Sequence, residues 1–260
     1  MTSLVDLFDL TGKIALTTGS SIGMGRAVAE GLAIAGAKVV ISSRKGDVCE
    51  QTADEINALC GEKRAIGIAC NIGYKEQLQS LVDQTHERLG QIDILVNNAG
   101  VNPYHGPSKD IPDSAFDKTM ESNVRSNHWL CQMVSKDMLE KGSGSIMITS
   151  STGAFSPSET LGTYNISKLA DIALVRNLAA EWGPKGVRVN ALCPGLIKTD
   201  FAKALWDNPE AAARVTEQTP MRRFGESDDF KGIAVFIASE ASSYVTGQAL
   251  TVCGGTHMWR

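Results

Sequence analysis

Apolar, β-branched runs recur along this chain with amphipathic stretches between them, and that alternation narrows the fold more than any other feature. The runs fall at residues 13–18, 38–42, 64–70, 92–97, 145–150, 187–192 and 249–252. They are nearly continuous in hydrophobicity, which fits strands buried on both faces of a parallel sheet. Helical periodicity occupies residues 25–35, 48–60, 75–89, 116–140, 164–182 and 228–238. Strand followed by helix, repeated, demands crossover connections. The expected fold is therefore α/β: a doubly wound, seven-stranded parallel sheet flanked by helices. Residues 1–260 are expected to form a single domain, without linker or repeat. The one long irregular stretch, about 196–225, carries Pro209, Pro220 and a short helical-looking piece at 201–205. A connection of that length inside a compact domain is read as a substrate lid.

The formal net charge of -4 offers no counterion-release affinity, so no nucleic-acid partner is expected. No apolar run approaches the ~18 residues a bilayer span needs, and the acidic N-terminal segment lacks the pattern of a secretory signal. Six scattered cysteines, none in a CxxC pair, read as small buried hydrophobes rather than as a metal site or disulfides. A reducing, cytoplasmic compartment is the expectation.

The first run passes directly into Thr18-Gly19-Ser20-Ser21-Ile22-Gly23-Met24-Gly25, between a strand and a helix. Gly19 permits the tight turn, Gly23 lets backbone approach a pyrophosphate and Gly25 lets helix pack on strand. The helix N-terminus then presents N–H groups and a positive dipole end. The second strand ends in Ser42-Ser43-Arg44-Lys45. An acid at that place would bind a ribose 2′-hydroxyl. None is present, and the planar fork of Arg44 suits a 2′-phosphate, so NADP(H) is favoured over NAD(H).

Tyr164 and Lys168 are spaced to share one helix face. A cation about 4 Å from a phenol is worth about 4 kcal/mol at an effective dielectric near 20, enough to bring a hydroxyl toward acid/base work at neutral pH. Ser150 and Ser151 close the fifth strand, where open α/β sheets bind their ligands. A serine hydroxyl there can polarise a substrate carbonyl. Asn97-Asn98-Ala99-Gly100 closes the fourth strand beside the same crevice.

Taken in order, the Thr18–Gly25 turn, Asn97-Asn98-Ala99-Gly100, Ser151, Tyr164-x-x-x-Lys168 and Pro194-Gly195 resemble the short-chain dehydrogenase/reductase family across nearly the whole chain. The resemblance implies a Rossmann-like fold with Tyr164 as acid/base and Ser151 holding the carbonyl oxygen. It implies that Lys168 assists the tyrosine and binds the nicotinamide ribose, and that Asn123 anchors a water in the proton relay. By the same resemblance Ile197 and Thr199 hold the carboxamide, Asn98 lies near the adenine ribose, and Ser21, Ile22, Asn71, Ile72, Pro194 and Gly195 line the dinucleotide site.

Two positions depart from the family pattern. Asn71 stands where an acid often contacts the adenine, though its carbonyl can accept from the adenine amine. Ile22 stands where many NADP-preferring members carry a basic residue, which leaves the phosphate to Arg44 with Ser43 and Lys45. The segments 42–45, 101–103, 151–158 and 194–199 are similar to the NADP-dependent carbonyl and retinol reductases, whose peroxisomal tripeptide is absent. The expectation is reduction of a ketone or aldehyde, with a small-molecule carbonyl/alcohol pair as substrate.

Phe201, Leu205, Trp206, Met221 and Phe224 are candidate walls of an apolar substrate pocket, with Tyr104, His105 and Trp259 as weaker ones. His105 has no visible partner and is assigned no catalytic role. A 3-oxoacyl thioester reductase shares all these motifs and would need a basic docking patch, for which Arg125, Arg176, Arg222 and Arg223 are candidates. A sugar or polyol dehydrogenase using NAD is also open, and a non-catalytic nucleotide sensor is the alternative from another class. A homo-oligomer, a tetramer by resemblance, is expected through helices 116–140 and 164–182, with Trp129, Leu130, Met133, Leu174 and Leu178 as contact residues.

Overall fold

The computed structural model describes residues 3–202 and 206–258. Leu205 and Trp259, two of the proposed pocket walls, lie outside the described residues, as does the side chain of Phe201.

Seven parallel strands form one sheet: β1 Ile14–Thr18, β2 Lys38–Ser43, β3 Ala65–Ala69, β4 Ile94–Asn97, β5 Gly144–Thr149, β6 Val187–Pro194 and β7 Ala249–Val252. Their order is β3-β2-β1-β4-β5-β6-β7, as the parallel reading required. The chain runs outward from β1 to β3, then returns to lay β4 beside β1 and continues to β7. That reversal opens a crevice at the carboxyl ends of β1 and β4, where such sheets bind ligands.

Strand residues alternate between two buried layers because successive side chains leave opposite faces of a sheet. Leu16, Val40, Leu95, Ile146 and Val189 enter one core, closed by helices α3 Lys75–Arg88, α5 Ser126–Lys141 and α6 Gly162–Trp182. Ala15, Val39, Ile94, Met147 and Leu192 enter the other, closed by α1 Gly23–Ile34, α2 Gly46–Cys60 and α8 Lys231–Ala238. Cutting a central side chain such as Leu16 to alanine is worth about 2–5 kcal/mol by the usual cost of a core cavity.

The structure differs from the sequence reading in two places. The expected helix over 116–140 is two helices, α4 Asp113–Met120 and α5, joined by a π-helical turn at Glu121–Arg125. The irregular stretch contains a regular helix, α7 Pro209–Gln218. Asn208 caps it, its side-chain oxygen accepting from the Glu210 and Ala211 amides, and Pro209 sits where a missing N–H costs nothing. Both ends of the stretch meet in a bridge between Ile197 and Gly225, so it leaves and re-enters the sheet edge at one point.

Candidate active site at the carboxyl ends of the strands

The turn after β1 is built for close approach. Gly19 has φ +62°, and a Cβ there would stand 2.8 Å from the Ala99 Cα. Asn98 holds the turn from the next strand: its Nδ2 donates to the Gly19 and Thr18 carbonyls at 2.9 and 3.2 Å. Helix α1 begins after Ile22, which provides no side-chain cap. Its first N–H groups therefore point into the crevice with the positive end of the helix dipole behind them. Ser21 is buried and Ile22 is exposed at the crevice mouth. Across from this turn, the Thr199 methyl lies 3.5 Å from the place of a Cβ on Gly23. The two loops so form opposite walls of one trough.

Arg44 is exposed just beyond β2 and makes no ion pair with any described residue, whereas Arg26 of α1 is tied to Glu55 at 2.8 Å. Ser43 lies half-buried with its hydroxyl 3.1 Å from the Cys49 sulfur. Asn71 uses one lone pair of its Oδ1 to accept from the Gly73 amide at 3.1 Å, with Ile72 half-buried beside it. These residues line the trough's far end from β1 to β3.

The candidate catalytic cluster sits at the end of β5. Ser151 is the N-cap of a short 3-10 turn, its Oγ accepting from the Gly153 amide at 3.0 Å. A hydroxyl so held keeps its own proton free to donate to a ligand. Ser150 works structurally: its Oγ donates to the Lys168 carbonyl at 2.7 Å and ties β5 to α6. Tyr164 and Lys168 occupy the first two turns of α6, as their spacing required, with Lys168 Nζ 5.9 Å from the Tyr164 ring centre.

Asn123 lies inside the π turn and is buried. Its carboxamide exchanges bonds with Val101, at 2.8 Å from the Val101 amide and 2.9 Å to the Val101 carbonyl, and donates to Ser167 at 3.0 Å. The side chain is thus committed to the scaffold. Its main-chain oxygen accepts from Asn127 Nδ2 at 2.5 Å. π turns interrupt the helical ladder and are often found at functional sites for that reason.

At the end of β6, Gly195 allows close packing, since a Cβ would meet the Cys253 Cα at 2.8 Å, and Thr152 ties the Ser151 turn to the Pro194 carbonyl at 3.2 Å. Ile197 buries its side chain in the core. Its main-chain N–H makes no bond among the described residues, as a carboxamide ligand requires. Trp206 is held by a bond from its indole N–H to the Thr199 carbonyl at 2.8 Å. Phe155, just past Ser151, stacks on His257 at 4.7 Å. Met221 and Phe224 face a cavity of about 220 Å³, together with Leu196 and Cys253. Tyr104 and Asn102 border a narrow cleft beside Tyr164, and the His105 ring lies 3.3 Å from the Thr160 hydroxyl.

One member of the cluster escaped the sequence reading. Asp171, fully buried, accepts from Lys168 Nζ at 3.0 Å and from Asn127 Nδ2 at 2.9 Å. Burial works against the Lys168 charge, but the Asp171 carboxylate and Tyr164 outweigh it and hold the ammonium above the ordinary lysine range. Burial likewise pushes the Asp171 carboxyl up, against the pull of Lys168 and Asn127.

A parallel sheet with a phosphate turn at its switch point and a Ser-Tyr-Lys cluster beside it defines a dinucleotide-dependent oxidoreductase. Comparison with known proteins agrees. A family model described as enoyl-(acyl carrier protein) reductase matches residues 19–257. Dehydrogenase/reductase SDR family member 4 of Homo sapiens is 42% identical over 248 residues, covering 95% of this chain and 88% of that protein. Among solved structures, a 7α-hydroxysteroid dehydrogenase complexed with NADH and 7-oxo glycochenodeoxycholic acid superposes with a TM-score of 0.91 at 39% identity, covering 96% of each chain. A gluconate 5-dehydrogenase from Burkholderia cenocepacia, in complex with NADP and tartrate, superposes at 0.92 with 32% identity and 98% coverage of each. The chain belongs to the short-chain dehydrogenase/reductase family. It is an NAD(P)-dependent oxidoreductase acting between an alcohol and a carbonyl.

Proposed function

We propose that the protein is an NADP(H)-dependent reductase of ketones or aldehydes, with Tyr164 as its acid/base. The observation that carries the cofactor choice is Arg44: an exposed guanidinium beyond β2 without an ion pair among the described residues, and no acid at the strand end. Gly19, Ser21, Ile22, Gly23 and Gly25 would hold the pyrophosphate on the N-terminus of α1. Ser43 and Arg44 would hold the 2′-phosphate, Asn71, Ile72 and Asn98 the adenosine end, and Pro194, Gly195, Ile197 and Thr199 the carboxamide end. The fit is favourable, because a Cβ would clash at Gly19 and at Gly25 and no side chain caps the N-terminus of α1.

When bound, the nicotinamide supplies or accepts the hydride. Ser151 donates to the substrate oxygen with the proton that its bond from Gly153 leaves free. Tyr164 gives its phenolic proton to that oxygen in reduction and takes it back in oxidation. Lys168, held as an ammonium, stabilises the phenolate left behind and offers its remaining N–H to the ribose. Asn123, in the π turn beside this cluster, would anchor the water that returns a proton to the relay.

The thioester-reductase alternative needs free cations around the cleft. Arg125 is paired with Glu121 and Arg223 with Asp229, at 2.9 and 2.6 Å, which weakens that reading. We also propose a homo-oligomer built on α4, α5 and α6, where Trp129, Met133 and Leu174 stay partly exposed. Leu130 and Leu178 do not serve it, since both point into the core, at 1% and 6% exposure. Phe116, Ile166 and Leu169, 41–55% exposed, offer the apolar surface instead. Six unpaired cysteines suit the proposed cytoplasmic location.

The test is consumption of NADPH and NADH, in parallel, against a diketone, an aromatic ketone, an aldehyde and an acetoacetyl thioester. Turnover of simple ketones or aldehydes with NADPH is expected. Turnover of the thioester alone, or a preference for NADH, would contradict the proposal.

A further inference from the structure

Asp171 takes no part in the chemistry assigned above, yet it is the most deeply placed charge in the molecule's active end. Its two oxygens face two N–H donors, Asn127 Nδ2 on Oδ1 and Lys168 Nζ on Oδ2. Both oxygens accept, which is the arrangement of an ionised carboxylate. A buried charge persists when it is paired, and this pair is neutral as a whole.

We propose that Asp171 is a positioning residue for catalysis: it aims the Lys168 ammonium and sets how much of that positive charge reaches the Tyr164 hydroxyl. This rests on the Tyr164 and Lys168 chemistry proposed above. An ammonium has three protons. One goes to the Thr149 carbonyl at 2.8 Å and one to Asp171, which leaves a single donor for the cleft. The Nζ faces Gly100, 3.6 Å from where a Cβ would stand, so no side chain blocks that donor on this side. Asn127 extends the restraint, bonding both Asp171 and the Asn123 carbonyl. The lysine, its counterion and the π turn thus form one buried chain.

Removing the carboxylate charge favours deprotonation of every neighbour, phenol and ammonium alike. The titratable groups around the Lys168–Asp171 pair are Tyr164 on α6, Cys131 on α5 and Cys193 on β6. Burial pushes the Cys131 thiol up to about 12 and the Cys193 thiol up to about 11, so both stay neutral over the working range. Neither thiol therefore accounts for a movement of the activity profile over that range.

The experiment compares pH profiles of kcat/KM for alcohol oxidation in wild type, Asp171→Asn and Asp171→Glu. The Asn variant is expected to move the whole profile to lower pH, by about one pH unit for loss of a nearby charge, and to lower kcat. A folded Asn variant with its profile in the wild-type place would overturn the proposal. The Glu variant keeps the charge but displaces it, so its profile should stay while kcat falls about tenfold, the scale of a small misplacement. Wild-type kcat in Asp171→Glu would contradict the positioning role even if the Asn variant does not fold. Tyr164→Phe is measured alongside. Turnover that survives in it sinks the underlying reading, whereas turnover lost there with an unmoved Asp171→Asn profile sinks the Asp171 proposal alone.

Discussion

Gly25 meets the Gly19 carbonyl so closely that no Cβ fits between them, and Asn98 Nδ2 closes the same space from β4. Helix, turn and neighbouring strand are thereby locked at the point where the pyrophosphate is expected. Gly25→Ala must push backbone aside, which costs about 1–3 kcal/mol for an overpacked site. NADPH affinity should fall about tenfold or more and Tm should drop, read by fluorescence titration and thermal melting. A variant that binds NADPH as tightly as wild type would show that the turn is not the cofactor cradle.

Arg44→Ala should raise the KM for NADPH and leave that for NADH nearly unchanged. A charge-assisted bond is worth about 1.5–3 kcal/mol, hence a loss of about 10- to 100-fold. Equal loss for both cofactors would move the role of Arg44 from phosphate recognition to general folding.

Asn123→Ala removes a side chain that ties Val101 and Ser167 to the π turn. Two or three buried groups lose their partners, at about 1–3 kcal/mol each. Lower Tm with lower kcat is expected, and an unchanged kcat in a destabilised protein would leave Asn123 purely structural.

Cysteine labelling offers a test of the environment around the lid. Burial works against ionisation of Cys253, but bonds from the His257, Gly255 and Thr256 amides and the Thr256 hydroxyl outweigh it and hold its thiol below the ordinary range. Burial pushes Cys60 above that range and Cys70 up to about 11. A group with a lowered pKa ionises at lower pH, so near pH 8 iodoacetamide should modify Cys253 first. Mass spectrometry that finds Cys60 or Cys70 labelled sooner would contradict the geometry of the 253–257 turn.

The sheet was legible because each central strand is buried on both faces and so reads as an unbroken apolar run. The turn, Ser151, Tyr164 and Lys168 were legible because their spacing is local. What the sequence hid depends on tertiary contact. Glu121–Arg125 contains no glycine or proline, so nothing in it marks the π turn. Nothing local marks Asp171, three residues after Lys168, and only the packing of α5 on α6 shows the pair buried. The helix Pro209–Gln218 did leave a signal, Asn208-Pro209-Glu210, a cap followed by an N1 proline. Leu130 and Leu178 read as contact residues because amphipathic periodicity locates an apolar face without saying which neighbour covers it.

The central claim is that Tyr164 moves the proton in an NADP(H)-linked carbonyl reaction. Its most direct test is the rate of NADPH oxidation with a reducible ketone in wild type and Tyr164→Phe, with NADPH binding measured in both. The account predicts unchanged binding and a fall in kcat of about 100-fold or more, the scale of general acid catalysis. A phenylalanine variant that turns over at the wild-type rate would contradict it.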